Sequence, residues 1–146
     1  ARIVRIFNTY GPRMNKNDGR VVSNFIVQAI MGKDLTIFGD GSQTRSFLHV
    51  DDNVEFTINI LEKKKLLNEV VNVGSDIEIT IIDLANLIIK ILKSQSNIIF
   101  LPPLKEGDMT RRKPDTSKMK EAYGKEIISL EEGIQAVASA SHSKSF

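Results

Sequence analysis

A chain of 146 residues with 41% hydrophobic and 26% charged side chains falls in the ordinary range for one domain with its own core. Its 20 basic and 18 acidic residues leave a formal charge of +2, so nothing general attracts nucleic acid and any basic site must be local. The absence of cysteine excludes a disulfide scaffold and a thiolate zinc site, and no apolar run approaches the ~20 residues that span a bilayer.

Ala1 to Asn8 alternate loosely and are rich in β-branched residues, which predicts a strand. With no turn or capping residue before it, that opening reads as a cut from a longer protein. The strand runs into NTYGPRMNKNDGR, where Gly11, Pro12, Asp18 and Gly19 predict a long polar loop. Ser23 is placed to cap a helix over about 23–31, with Phe25, Ile26, Ala29 and Ile30 at helical spacing and Gly32 as its stop. Leu35 to Phe38 and Thr44 to Val50 read as short strands, and the glycines of the intervening GDGSQ suit a tight turn, so a β-hairpin is expected. Asp51 or Asp52 then caps a helix to about Lys64, with Val54, Phe56, Ile58 and Leu61 directed at the core and the run Lys63 to Lys65 at the end that favours cations.

Glu69 to Val73 is the next strand, closed by Gly74. Thr80 and Asp83 form a capping box for a helix to about Lys93, Asn97 to Leu101 a strand, and PPLKEGDMTRRKPD a second long loop. A short helix from Asp115 or Thr116 to Gly124 follows, then a final helix opened by Ser129 with Glu132. The pattern is mixed α/β without internal repeats: one unit over 1–137 and a frayed tail over 138–146. Loops as long as 9–20 and 102–115 inside a domain are usually binding elements.

A search for a self-contained catalytic set fails. His49 and His142 are the only histidines, the first among apolar strand residues where a structural role is the default, and no metal site is expected. GDGSQ joins two strands, so it lacks the strand-to-helix context of a dinucleotide-binding loop. What remains are loop arginines and amides: Asn8, Arg13, Arg20, Asn24, Gln43, Arg45, Arg111 and Arg112. Arginine's planar fork suits a diphosphate or a carboxylate, although any single one is more often a solvated surface group.

The stretches FNTYGPRM, NDGRVVSNF, GDGSQTRSF and RRKPD together resemble extended short-chain dehydrogenases that act on nucleotide sugars. The likeness runs from Ala1 to about Val137 and is greatest to UDP-glucuronate decarboxylases. Epimerases and dehydratases of the same superfamily share the G-x-G-x-Q-x-R-x-F pattern; the Arg-Lys-Pro-Asp run narrows the reading. The resemblance implies an α/β fold, the C-terminal part of an extended short-chain dehydrogenase, with the last strands of a Rossmann sheet and a small α/β substrate-binding lobe. It also implies NAD as cofactor, a UDP-sugar as substrate rather than a nucleic acid, and a homodimer for the full-length protein. The sequence carries no address, so cytoplasm and Golgi lumen both stay open.

Residue by residue, the resemblance implies that Asn8 meets the sugar diphosphate and that Thr9 and Arg20 lie on the NAD side of the cleft. Asn24 offers the diphosphate an amide at a helix N-terminus. Gln43 and Arg45 belong to the substrate site, with Arg45 on the phosphates. Phe38 stands within reach of uracil for stacking, or else is a plain core residue. Arg112 matches the arginine that places the substrate carboxylate and is the one catalytic assignment. The family's glycine-rich NAD loop, its Ser/Thr and its Tyr-x-x-x-Lys pair all precede the strand at which this chain opens, so the chain alone is expected to be inactive. In the family reaction NAD oxidises the sugar at C4, the β-keto acid loses carbon dioxide, and NADH reduces the ketone to give UDP-xylose. A UDP-sugar 4-epimerase and a dTDP-glucose 4,6-dehydratase are the alternatives within the fold; a noncatalytic nucleotide-sugar-binding module is the alternative outside enzymology.

Overall fold

Two parallel strands, β1 (Ile3–Ile6) and β6 (Val70–Val73), pair in register from Ile3 with Val70 to Ile6 with Val73. Parallel neighbours need a crossover, and here it passes through β2 (Thr9–Tyr10), α1 (Val21–Ile30), β3 (Leu35–Phe38), β4 (Thr44–Ser46), β5 (Leu48–His49) and α2 (Val50–Glu62). The computed structural model describes residues 1–15, 18–62, 66–104 and 109–142. The remaining elements are β7 (Glu78–Thr80), α3 (Ile81–Leu92), β8 (Ile98–Leu101), β9 (Arg111–Arg112), α4 (Ser117–Tyr123) and α5 (Leu130–His142).

The apolar side chains gather in two clusters. In the larger one α1, α3 and α5 close over β3, joining Phe25, Ile26, Leu35, Ile37, Leu84, Ile88 and Ile134. The regular spacing of Ile81, Leu84, Ala85 and Ile88 makes α3 the central helix of this cluster, since those residues share one face. In the smaller one Phe56 and Ile60 of α2 and Met119 and Tyr123 of α4 pack on Leu48, Val71 and Val73. A three-stranded sheet has the order β7-β4-β9, antiparallel on the β7 side and parallel on the β9 side.

Both expected N-caps form, and the one at Ser129 is a full capping box. Thr80 Oγ1 accepts the Asp83 N–H at 3.1 Å and donates to the Asp83 carboxylate at 2.6 Å, while Ser129 and Glu132 exchange the equivalent bonds at the start of α5. Lys93 and Gly124 end α3 and α4 in the left-handed conformation.

Several expectations are corrected. No hairpin joins β3 to β4: β3 pairs in parallel with β8, from Leu35 with Ile98 to Phe38 with Leu101, and β4 leaves for another sheet. Gly39 and Gly41 do take positive φ, 77° at each, but the turn carries the chain from one sheet to the next instead of folding it back. The Thr44 to Val50 run breaks into β4 and β5. Helix α1 starts at Val21, and Ser23 does not cap it; its hydroxyl bonds to Asp18 and to the Arg20 carbonyl.

Along α2, Val54, Ile58 and Leu61 are exposed, and the helix buries Asp52, Asn53, Phe56 and Ile60 instead. Both stripes have helical spacing. The polar one is buried because it finds partners: Asp52 accepts the Tyr123 hydroxyl at 3.0 Å and the Ile128 N–H at 2.8 Å, and Asn53 donates to Thr9 Oγ1 at 2.8 Å. Helix α5 extends to His142; the run Lys63 to Lys65 and residues 143–146 lie outside the described residues.

Candidate functional site

The end of β1 and the start of β2 deliver Asn8 and Thr9 to one place. The Asn8 amide donates to the Ser46 carbonyl at 3.1 Å, and the Thr9 hydroxyl donates to the Phe7 carbonyl at 2.9 Å while accepting from Asn53. Arg20 reaches the same spot from the foot of α1, donating to Asp18 at 2.9 Å and to the Thr9 carbonyl at 3.3 Å. Burial raises the Asp18 carboxyl somewhat, but hydrogen bonds from Ser23 and Arg20 hold it below the usual range, so it stays an anion that orders Arg20. Asn8, Thr9, Arg20 and Arg45 line a small cavity of about 100 Å³ with Tyr10 and Phe47.

Phe38 and Gln43 belong to a second and larger cavity of about 770 Å³, at the ends of β3 and β8. Gln43 Nε2 donates to the Phe38 carbonyl at 3.1 Å, which ties the residue after the turn to the strand before it. Phe38 is 45% exposed and faces this cavity with Phe100 and Leu104, so it is not a core residue. An open pocket with apolar walls and aromatic edges can receive a flat ring. Asn24 sits half-buried in the first turn of α1, and its side chain has no hydrogen bond among the described residues; neither it nor Arg112 lines either cavity.

The three-stranded sheet explains the run Arg111 to Asp115. Side chains alternate along β9, so Arg111 and Lys113 face one way and Arg112 the other. Arg111 donates to the Glu78 carboxylate at 2.8 and 2.7 Å, a two-pronged pair that pulls the Glu78 carboxyl down to about 2, and Lys113 approaches it at 3.6 Å. Pro114 is buried against Gly74, where a Cβ would press on its ring. Asp115 accepts the Asn72 amide on its carbonyl at 2.9 Å and bonds to Ser117 through its carboxylate. Among the charged side chains of this run, Arg112 alone has no hydrogen bond or ion pair among the described residues. It pairs in register with Arg45 of β4, which puts the two cations on the same face of the sheet, one strand apart.

His49 lies buried beside the start of α2. It is 2% exposed, packs edge-on to Tyr10 at 5.5 Å, and accepts the Asp51 N–H on Nδ1. Among the described residues no group of histidine and acidic side chains is arranged to hold a metal ion. Asp52 was expected from the sequence only as a possible helix cap, and Glu78 was not singled out. Each acts through a partner tens of residues away, and no local pattern announces that.

Comparisons with known proteins bear on this geometry. A UDP-glucuronic acid decarboxylase of Danio rerio is 46% identical over 92% of this chain, and one of Arabidopsis thaliana is 45% identical over 92%. The chain spans about a third of the length of these relatives, 32% and 30% respectively. Among solved structures, a UDP-glucuronic acid 4-epimerase of Bacillus cereus in complex with UDP-glucuronic acid and NAD is similar with a TM-score of 0.85 and 32% identity, over 97% of this chain and 45% of that one. A UDP-glucose 4-epimerase of Thermotoga maritima with UDP-glucose is similar with a TM-score of 0.87 and 33% identity, over 96% and 45%. These neighbours have extended short-chain dehydrogenase folds, in keeping with β1 and β6 as strands of a Rossmann-type sheet and the remainder as an α/β lobe. Residues 1–74 match the model of the NAD dependent epimerase/dehydratase family, and the chain belongs to that family.

Proposed function

We propose that this chain is the nucleotide-sugar-binding part of an NAD-dependent UDP-glucuronate decarboxylase. The observation that carries the reading is the β4–β9 register, which sets Arg112, the one unpaired charged side chain of its run among the described residues, beside Arg45. Two guanidiniums side by side on one face of the sheet offer an anionic ligand several charged donors at once. In this reading Arg45, with Asn8 and Asn24, holds the diphosphate, Phe38 and Gln43 receive the uracil end, and Arg112 holds the sugar carboxylate. The homology to proteins named as UDP-glucuronic acid decarboxylases supports that choice of substrate.

Thr9 and Arg20 fit one edge of a dinucleotide site and no more: the space beside them is about 100 Å³, and no glycine-rich loop joins a strand to a helix among the described residues. NAD, when bound, supplies the hydride chemistry. The residues of this chain bind and orient the sugar, and the chain by itself is inactive.

The test is calorimetric titration with UDP-glucuronate and with UDP-glucose, which lacks the carboxylate. Arg112→Ala weakens UDP-glucuronate by about tenfold to a hundredfold, the size of a lost charge-assisted hydrogen bond, and leaves UDP-glucose unchanged. Equal effects on the two sugars would remove Arg112 from the carboxylate. A 4-epimerase acting on the same sugar is the second reading, favoured by the solved Bacillus cereus neighbour. With the full-length protein and NAD, release of carbon dioxide with UDP-xylose supports the decarboxylase, and a C4 epimer with the carboxylate retained supports the epimerase.

A further inference from the structure

Strand β9 has only two residues, so its backbone pairing offers little to hold it in place. The described backbone bonds beyond the register pairs add the Thr44 N–H to the Thr110 carbonyl at 2.9 Å. The strongest tie is made by side chains. Glu78 stands on β7, on the far side of β4, and its carboxylate bridges the whole sheet: Oε1 accepts the Thr44 hydroxyl at 3.0 Å and Arg111 Nε at 2.8 Å, and Oε2 accepts Arg111 Nη2 at 2.7 Å. Thr44 is the register partner of Arg111, just as Arg45 is the partner of Arg112. Fixing Arg111 to Thr44 and Glu78 on one face therefore fixes Arg112 against Arg45 on the other, because a slip of one residue would exchange the two faces.

We infer that Glu78 is a positioning residue for the substrate carboxylate: by clamping Arg111 across β4 it holds Arg112 at the place where it meets the sugar acid. It touches no substrate itself, since it lies on the opposite face of the sheet from Arg112. The inference rests on the assignment of Arg112 to the carboxylate made above, and goes beyond it by naming what selects for a sugar acid from behind the site. Charge-assisted, two-pronged pairs of this kind restrict orientation as well as adding energy, which is what a supporting partner requires.

A double-mutant cycle in the full chain tests it, read as affinity for UDP-glucuronate and for UDP-glucose. Glu78→Gln weakens UDP-glucuronate on the order of tenfold, the lower end of what loss of an outer supporting partner costs, and leaves UDP-glucose unchanged. In an Arg112→Ala background the same substitution produces no further loss, because Glu78 acts only through Arg112. Arg111→Gln gives the same pattern from the other end of the clamp and serves if Glu78→Gln does not fold, as judged by its circular dichroism. Equal loss for both sugars, or a further loss in the Arg112→Ala background, overturns the inference and leaves Glu78 a purely structural residue. If Arg112→Ala itself leaves UDP-glucuronate binding intact, the assignment of Arg112 fails first, and the positioning role goes with it.

Discussion

Around α3, side chains from α1, β3 and α5 converge until Leu84, Ala85 and Ile88 are fully covered. Strand β1, in a two-stranded sheet among the described residues, leaves Ile3 55% and Ile6 60% exposed, and alternation puts the two on opposite faces. Helix α2 likewise leaves Val54, Ile58 and Leu61 in the open. Parallel sheets are normally covered on both faces, and here a two-stranded one has its main cover from α2 and α4. The two regions differ in how they cohere: apolar packing holds the helical cluster, whereas the smaller cluster beside β6 adds a polar clamp to its apolar contacts. In that clamp Asp52 takes bonds from Tyr123 and Ile128, and burial pushes the Tyr123 hydroxyl up to about 12.

The largest effect is expected where packing dominates. Phe25→Ala, in the helical cluster, lowers unfolding free energy by about 3–5 kcal/mol in urea denaturation, the range for truncating a buried aromatic residue. A loss under about 1 kcal/mol would mean that the cluster repacks and the contrast is overstated.

Asp52→Ala is the matching test of the polar clamp. It strands the Ile128 N–H and leaves the Tyr123 hydroxyl with the Glu55 carboxylate, at 3.2 Å, as its acceptor; leaving a buried donor unmade costs about 1–3 kcal/mol, so the loss is smaller than for Phe25→Ala. Hydrogen exchange should show Ile128 opening ahead of the α3 amides. Uniform loss of protection would instead mean that both clusters unfold as one unit.

The three-stranded sheet sharpens the picture by pH. The Glu78 carboxyl has an ordinary value of 4.5 and sits at about 2 in the fold, chiefly because Arg111 donates to it. A depressed folded value stabilises the fold above the ordinary value and ceases to do so as pH falls, so the contribution fades between about pH 4.5 and 2. Wild type therefore loses stability over that window faster than Glu78→Gln. Parallel pH profiles for the two would show that the pair contributes nothing. The smallest effect belongs to the exposed stripe of α2: Val54→Ser changes stability by no more than about 0.5 kcal/mol.

Element positions were largely legible from local pattern. The Thr80–Asp83 and Ser129–Glu132 caps mark α3 and α5 because such a cap is a contact over three residues, readable without the rest of the fold. The hairpin expected at GDGSQ did not form because turn chemistry says that the chain bends, not which strand receives it; β3 found β8, some sixty residues away. The apolar stripe of α2 misled for a similar reason. Two stripes had the right spacing, and Tyr123 and Ile128 decided which one was buried.

By itself the sequence determined the α/β class, the family and the inventory of arginines and amides, since those follow from motifs a few residues long. Only the tertiary structure decided which of them meet. Asn8, Thr9, Arg20 and Arg45 line one cavity, Phe38 and Gln43 another, and Arg112 is separated from its neighbour Arg111 by the alternation of a strand two residues long. Strand pairing brings together residues far apart in the chain, and a side chain's direction depends on the register of that pairing, which no local run of residues contains.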